Sequence, residues 1–587
     1  MMLVRLNSPF TRAFSSTSFK KSSNKYQKIA SLLQKRTIVT QMETNQQKTF
    51  SNQNKIPRLP IPTLKETAER YKKSLLPLLS TSDYNRAANA VDEFMKEGGF
   101  AEVLQKRLYD VDKSEKYNWI ETIWLNKAYL EWREPSLINV NWWVEFNDPA
   151  TGILKNPPPK GQISEFQIDR AAGFISNLLT FNDMINNELL PPDQTRQGPL
   201  CMDQYTKQFG ATRIADSPSD RGERVPIKEI KRQLQFVVDQ VNNTTELQPP
   251  IGLLTGEHRD TWATARKNLE SSSAENKISF EAIDTALFGI ALDDYPTDTD
   301  IDISHLNSFH AYNGRNRWFD KALQIIVANN GRAGVNGEHS PSDAVIPGRM
   351  FDYISSNEPA QDPPNVSSIE LSPPQYLKWV VDTSIMNTIQ QAQINIQAAI
   401  DNVDGVLLHY NEFGADWLKN ASTRGFLHGR TETVRTCSVD TVAFTKAFCD
   451  PNVKRDEKIS LLTKAIKSHI EYMISATNGR GVDRHLLGLR CQIRDEEEKS
   501  KATLFNDPSY VQSMYFKISS SNMSPGLNFH CGFGAVVPDG YGICYVIHKD
   551  KFKISINSYK KCKETDSTIF RKVLKDSFDE LRELLSS

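Results

Sequence analysis

Apolar positions along this chain repeat with two different periods. From Ala101 to Trp143 the spacing is helical and rich in tryptophan, so Trp119, Trp124, Trp132, Trp142 and Trp143 are expected to pack a core. Residues 384–403 place Ile385, Ile389, Ala392, Ile396, Ala399, Ile400 and Val403 three and four apart, the stripe of a helix buried on one side. Residues 225–246 read as a surface helix. The run Leu323 to Ala328 reads as a buried strand stopped by Asn329-Asn330-Gly331, after which a polar loop carries His339. Strict alternation at 543–548 and 552–558 predicts two strands, and Ile569, Val573, Leu581, Leu584 and Leu585 mark a terminal helix. No internal repeat is visible, and the class is mixed α/β.

The proline-bearing run Pro57-Arg58-Leu59-Pro60-Ile61-Pro62 predicts an extended arm, with a helix from about Leu64, while 156–159 and 191–192 read as loops. A chain of 587 residues with 39% apolar content suits two domains. Their junction is expected near residue 380, giving an N-terminal domain 56–380 and a C-terminal domain 381–587. The first helices of the former are open to packing on the latter.

Charge changes the picture at one end only. Lys+Arg and Asp+Glu both total 71, so no overall field points to nucleic acid. Residues 1–41 nevertheless contain no acid and carry Arg5, Arg12, Lys20, Lys21, Lys25, Lys28, Lys35 and Arg36. An acid-free, Ser-rich segment with interspersed apolar residues suits a mitochondrial transit peptide, joined by a linker at 42–55; a disordered basic tail is the plainer alternative. Met42 could start a shorter, non-mitochondrial product, and the ending Leu584-Leu585-Ser586-Ser587 is not a peroxisomal signal. No stretch reaches the roughly 18 to 20 apolar residues of a membrane span, which leaves peripheral association open. The seven cysteines form no CxxC pair and are expected to be reduced, mostly buried thiols with no metal site.

Four local motifs could carry chemistry. In Gly337-Glu338-His339-Ser340-Pro341-Ser342-Asp343 a histidine follows a strand, and an imidazole with pKa near about 6.5 can take and return a proton at neutral pH. Asp343 could orient that ring or stabilise the loop, although a structural histidine would look the same. In Gly429-Arg430-Thr431-Glu432-Thr433-Val434-Arg435, hydroxyls and cations together suit a carboxylate ligand, or equally a solvated turn. Ser519-Ser520-Ser521-Asn522 is expected at or beyond a strand end, where hydroxyls could stabilise an oxyanion. The glycines of the stretch 532–542 allow close backbone approach, as in a bulged strand and hairpin.

Taken in order, the arm Leu59-Pro60-Ile61-Pro62, Trp142-Trp143, Arg259-Asp260-Thr261-Trp262, the His339 motif and the serine triplet resemble the carnitine/choline acyltransferase family over roughly 56–585. The resemblance implies two similar α/β domains with an active-site tunnel between them, admitting coenzyme A from one side and carnitine from the other. It implies His339 as the catalytic base with Asp343 beside it, and Ser521 as the oxyanion donor. Thr431, Arg484, Ser519 and Phe533 would bind carnitine, with Phe533 near the trimethylammonium group, and Lys419 and Asn522 would lie near coenzyme A. Asn522 stands where relatives usually carry glutamine. No permanent cofactor is implied: coenzyme A is a co-substrate, and the enzyme is expected to be a monomer.

One departure matters. Between Asn420 and Ala421 the usual family chain is markedly longer and includes a tyrosine that helps bind carnitine. Short-chain (acetyl) transfer to carnitine is the favoured reading. The alternatives are a medium- or long-chain carnitine acyltransferase and a weakened relative that binds acyl-CoA.

Overall fold

The structure, a computed structural model, describes residues 2–3, 47–213, 215–216, 224–245, 248–310, 313–362, 366, 368–411, 422–524 and 526–586. Most of the basic leader, Lys419 and the Asn420–Ala421 junction therefore lie outside the described residues.

Two sheets organise the chain. Their strands are β1 (Met2–Leu3), β2 (Trp142–Phe146), β3 (Gly289–Asp293), β4 (Gln324–Ala328), β5 (Ala333–Gly337), β6 (Val403–Tyr410), β7 (Ile518–Asn522), β8 (Phe529–Phe533), β9 (Tyr541–Ile547) and β10 (Phe552–Tyr559). The first sheet has the order β1-β3-β4-β5-β2-β8 and the second β6-β10-β9-β7. Strand β8 thus comes from the last third of the chain yet pairs antiparallel with β2 in the sheet of the first half.

The buried apolar faces explain the layers. Helix α1 (Glu165–Asn186) buries residues on nearly every turn, Phe174, Leu178 and Phe181 among them, against the first sheet. Helix α2 (Thr383–Asn402) is amphipathic, as its spacing predicts: Ile385, Ile389, Ala392, Ile396 and Ile400 are buried, and Asp382 caps its first turn. Helix α3 (Ser567–Ser586) covers the second sheet through Phe570, Leu574 and Phe578. The helices Leu64–Leu75, Thr81–Met95 and Phe100–Ser114 share a core with Val482, Leu486 and Leu489 from the other end of the sequence.

The two sheets meet where β8 faces β9 and β10. Ser555 Oγ donates to the Cys531 carbonyl (2.7 Å), Asn557 Nδ2 to the Phe533 carbonyl (3.1 Å) and Tyr559 OH to the Ala535 carbonyl (2.9 Å). The thiols of Cys531 and Cys544 touch across this junction at 3.3 Å.

Several expectations need correction. Trp142 and Trp143 sit on strand β2 rather than a helix, and Trp132 is exposed; the helical stretch ends before them in a single π-turn, Asn126–Leu130. The loop after Gly331 is short, because Ala333–Gly337 forms β5. Its glycines hide it from a propensity reading and are there for space: a Cβ on Gly334 would lie 1.9 Å from Ser308 Oγ, and one on Gly337 2.2 Å from the Trp142 ring. The serine triplet lies within β7 rather than beyond it. Residues 529–533 and 541–547 belong to different sheets instead of pairing as a hairpin. Of the cysteines, only Cys201, Cys531 and Cys544 are buried.

Candidate active site

Strand register brings the candidate residues to one end of the molecule. Phe533 pairs with Trp142, and Trp142 pairs with Gly337, so the C-terminal ends of β8 and β5 flank the first residue of β2 from either side; His339 follows two residues after Gly337. Gly542, on β9, packs so tightly there that a Cβ would stand 2.6 Å from both the Phe533 and Gly534 carbonyls. Ser519 on β7 pairs in register with Gly542, and Ser521 with Cys544. Ser519 and Ser521 share the half-buried face of β7, while Ser520 points to solvent.

His339 is half-buried, with Nδ1 sealed from solvent and bonded to no other side chain. Burial is the main force pushing its pKa below the usual histidine value; Asp343 pulls the other way and Arg430 adds to the depression. The phenol ring of Tyr129 stacks on the imidazole, centroids 5.1 Å apart and planes 29° from parallel.

Asp343 makes no hydrogen bond to the imidazole. Its carboxylate accepts from Gln204 Nε2 (3.2 Å) and lies 3.1 Å from Arg430 Nε, and its amide donates to Gln204 Oε1 (2.7 Å). It therefore fixes the loop and acts on the ring through its charge alone. The same Gln204 amide donates to the Gly429 carbonyl, tying the loop to the second motif.

That motif supplies the cations. Arg430 donates to the carbonyls of Ser340 (2.8 Å) and His339 (3.3 Å). The next residue, Thr431, receives Arg484: Nε donates to its carbonyl (2.8 Å) and Nη2 to its hydroxyl (3.4 Å). Arg484 begins the second residue of the helix Asp483–Arg490 and lies over Trp124. Trp119, Trp124, Arg430, Thr431, Glu432 and Arg484 line one crevice. Burial pushes the Glu432 carboxyl up to about 7 despite the nearby Arg484, and its oxygen accepts from the Thr433 and Arg484 amides.

The remaining residues are more loosely associated. Phe533 is half-buried at the end of β8 and packs on the first core. Asn522 is buried, and its Oδ1 accepts from the Ser524 amide (2.8 Å). Sequence reasoning passed over Tyr129, Gln204 and Arg213, which have no motif of their own; only their contacts reveal them. It did note the stretch Arg259–Trp262, whose role is structural: Arg259 (2.9 Å) and Trp262 Nε1 (2.7 Å) both donate to buried Asp320.

The fold is mixed α/β with two abutting sheets, and His339 follows a strand end with Arg430 bonded to its backbone carbonyl; the comparisons with known proteins make the class that of the acyltransferases. The family model for Choline/Carnitine o-acyltransferase matches residues 59–225, 219–422 and 419–576, and the chain belongs to this family. It is 30% identical to the carnitine O-acetyltransferase of Rattus norvegicus over 92% of this chain and 94% of that protein. The Homo sapiens carnitine O-acetyltransferase is likewise 30% identical, and the choline O-acetyltransferase of Danio rerio is 29% identical over 90% of the chain. Successive matched stretches overlap at 219–225 and at 419–422, the second overlap containing Asn420 and Ala421.

Proposed function

We propose that this protein transfers a short acyl group reversibly between coenzyme A and carnitine. The observation that carries this reading is the adjacency of Arg430 and Thr431. Arg430 holds the backbone of His339, and the next residue positions Arg484, a second cation in the same crevice as Arg430. An acceptor bearing both a hydroxyl and a carboxylate fits that pairing better than choline, which has no carboxylate.

In the forward direction His339 Nε2 takes the proton of the acceptor hydroxyl, and the oxygen attacks the thioester carbonyl. The Ser521 hydroxyl donates to the resulting oxyanion; collapse expels the thiolate, which takes the proton back from the imidazolium. Thr431 and Arg484 hold the carboxylate, and Phe533 offers a ring face to the quaternary nitrogen, an attraction of about 0.5 to 2 kcal/mol. A neutral imidazole is the form this step requires, and the burial that depresses its pKa keeps it neutral.

The test is turnover of purified protein with L-carnitine or choline and acyl-CoAs of graded length. Acetyl transfer to carnitine supports the reading, and a preference for longer chains reassigns the acyl class. Coenzyme A binding without turnover, the outcome that a segment missing after Asn420 would favour, overturns it.

A further inference from the structure

We propose that Arg213 is a positioning residue for His339, a single guanidinium that fixes both the loop beneath the imidazole and the aromatic ring stacked on it. This rests on His339 being the base. Arg213 occupies the turn after the two-residue strand Ala211–Thr212, far from the motifs of the site, and its amide donates to the Asp320 carbonyl (2.8 Å). Nη1 donates to Glu338 Oε1 at 2.6 Å, and Nη2 donates to the Tyr129 carbonyl. The side chains of Arg213 and Glu338 are 4% and 0% exposed, so neither group has water as an alternative partner.

Glu338 precedes His339, and its second oxygen accepts from both the amide (3.0 Å) and the hydroxyl (2.5 Å) of Ser340. The carboxylate therefore pins the residues on either side of the histidine. Tyr129 lies in the π-turn Asn126–Leu130, where its carbonyl also accepts from the Trp132 amide at 3.2 Å. Arg213 adds a charged side-chain donor to that carbonyl and ties it to Glu338. The two-pronged geometry explains arginine here, because a lysine ammonium could reach one acceptor but not span both.

The experiment uses the full-length enzyme, acetyl-CoA and L-carnitine, with Arg213→Lys and the double variant Arg213→Met/Glu338→Gln. The double variant leaves no unpaired buried charge and so protects folding. The expected result is a fall in kcat of about 10²-fold with little change in either KM, since misplacing a base costs rate rather than substrate binding. The titration midpoint of His339 is followed by NMR of labelled histidines, its signal being the one missing in His339→Gln. It is expected to rise toward the free-imidazole value as Tyr129 loosens and water reaches the ring, and Arg213→Lys is expected to fall between the parent and the double variant. Folded variants with parental kcat overturn the proposal, and so does a loss of kcat with an unmoved His339 midpoint. If His339→Gln itself retains parental turnover, the reading of His339 fails instead, and the two failures are distinguishable.

Discussion

The guanidinium carbon of Arg484 lies 3.5 Å from the centre of the Trp124 ring, while its Nε donates to the Thr431 carbonyl. Stacking from one side and hydrogen bonds from the other hold a flexible side chain in one direction. Replacing Trp124 by leucine is therefore expected to raise KM for carnitine several-fold and leave KM for acetyl-CoA unchanged. Arg484→Asn is expected to act more strongly in the same sense and to improve choline relative to carnitine. Steady-state kinetics with both acceptors checks this.

In the proposed mechanism the base and the oxyanion donor contribute unequally. Ser521→Ala removes one hydrogen-bond donor and is expected to lower kcat by about 10² to 10³-fold. His339→Ala removes the group through which every proton passes and is expected to cost more. A Ser521 variant as impaired as the His339 variant would contradict the assigned roles.

With His339 as the proposed base, its depressed pKa is expected to set the acid limit of activity. Only neutral imidazole accepts the hydroxyl proton, so kcat/KM is expected to fall on the acid side with a midpoint below about 6.5. Tyr129→Ala would hydrate the ring and shift that limb toward higher pH.

Buried histidines outside the candidate site, His485 and His305 among them, add to acid sensitivity. His485 is buried between Thr67 Oγ1 (2.7 Å) and Gln105 Oε1 (2.8 Å), and burial pushes its pKa down to about 3. Between that value and the unfolded value of about 6.5 the unfolded chain binds the extra proton, so stability falls as pH drops through this window. Chemical denaturation from pH 7 to pH 4 is expected to show this loss, and His485→Gln to reduce its slope.

Gly334 tests the close packing of β5. A Cβ there would also come within 2.5 Å of the Val144 carbonyl, a backbone atom of a paired strand that cannot swing aside. Gly334→Ala is expected to destabilise by about 1 to 3 kcal/mol, read as a shift in the denaturation midpoint.

Much of the fold was legible because periodicity survives wherever a single face is buried. The stripe from Ile385 to Ile400 is an example. Strand β5 was not legible, because Gly334 and Gly337 are selected for the space left by Ser308 and Trp142, not for strand propensity. Trp142 and Trp143 misled for a related reason: every residue of β2 is buried, so no alternation marks it as a strand.

The sequence by itself determined the mixed α/β class, the family, and the short list of side chains capable of acid–base and ion-pair chemistry, since those depend on residue type and local order. Tertiary structure alone decided that β8 crosses into the first sheet, that Asp343 binds Gln204 and Arg430 instead of the imidazole, and that Arg213 reaches Tyr129 and Glu338. Such contacts join residues distant along the chain, and which of several available partners a buried polar group takes is settled only when packing removes water from all the others.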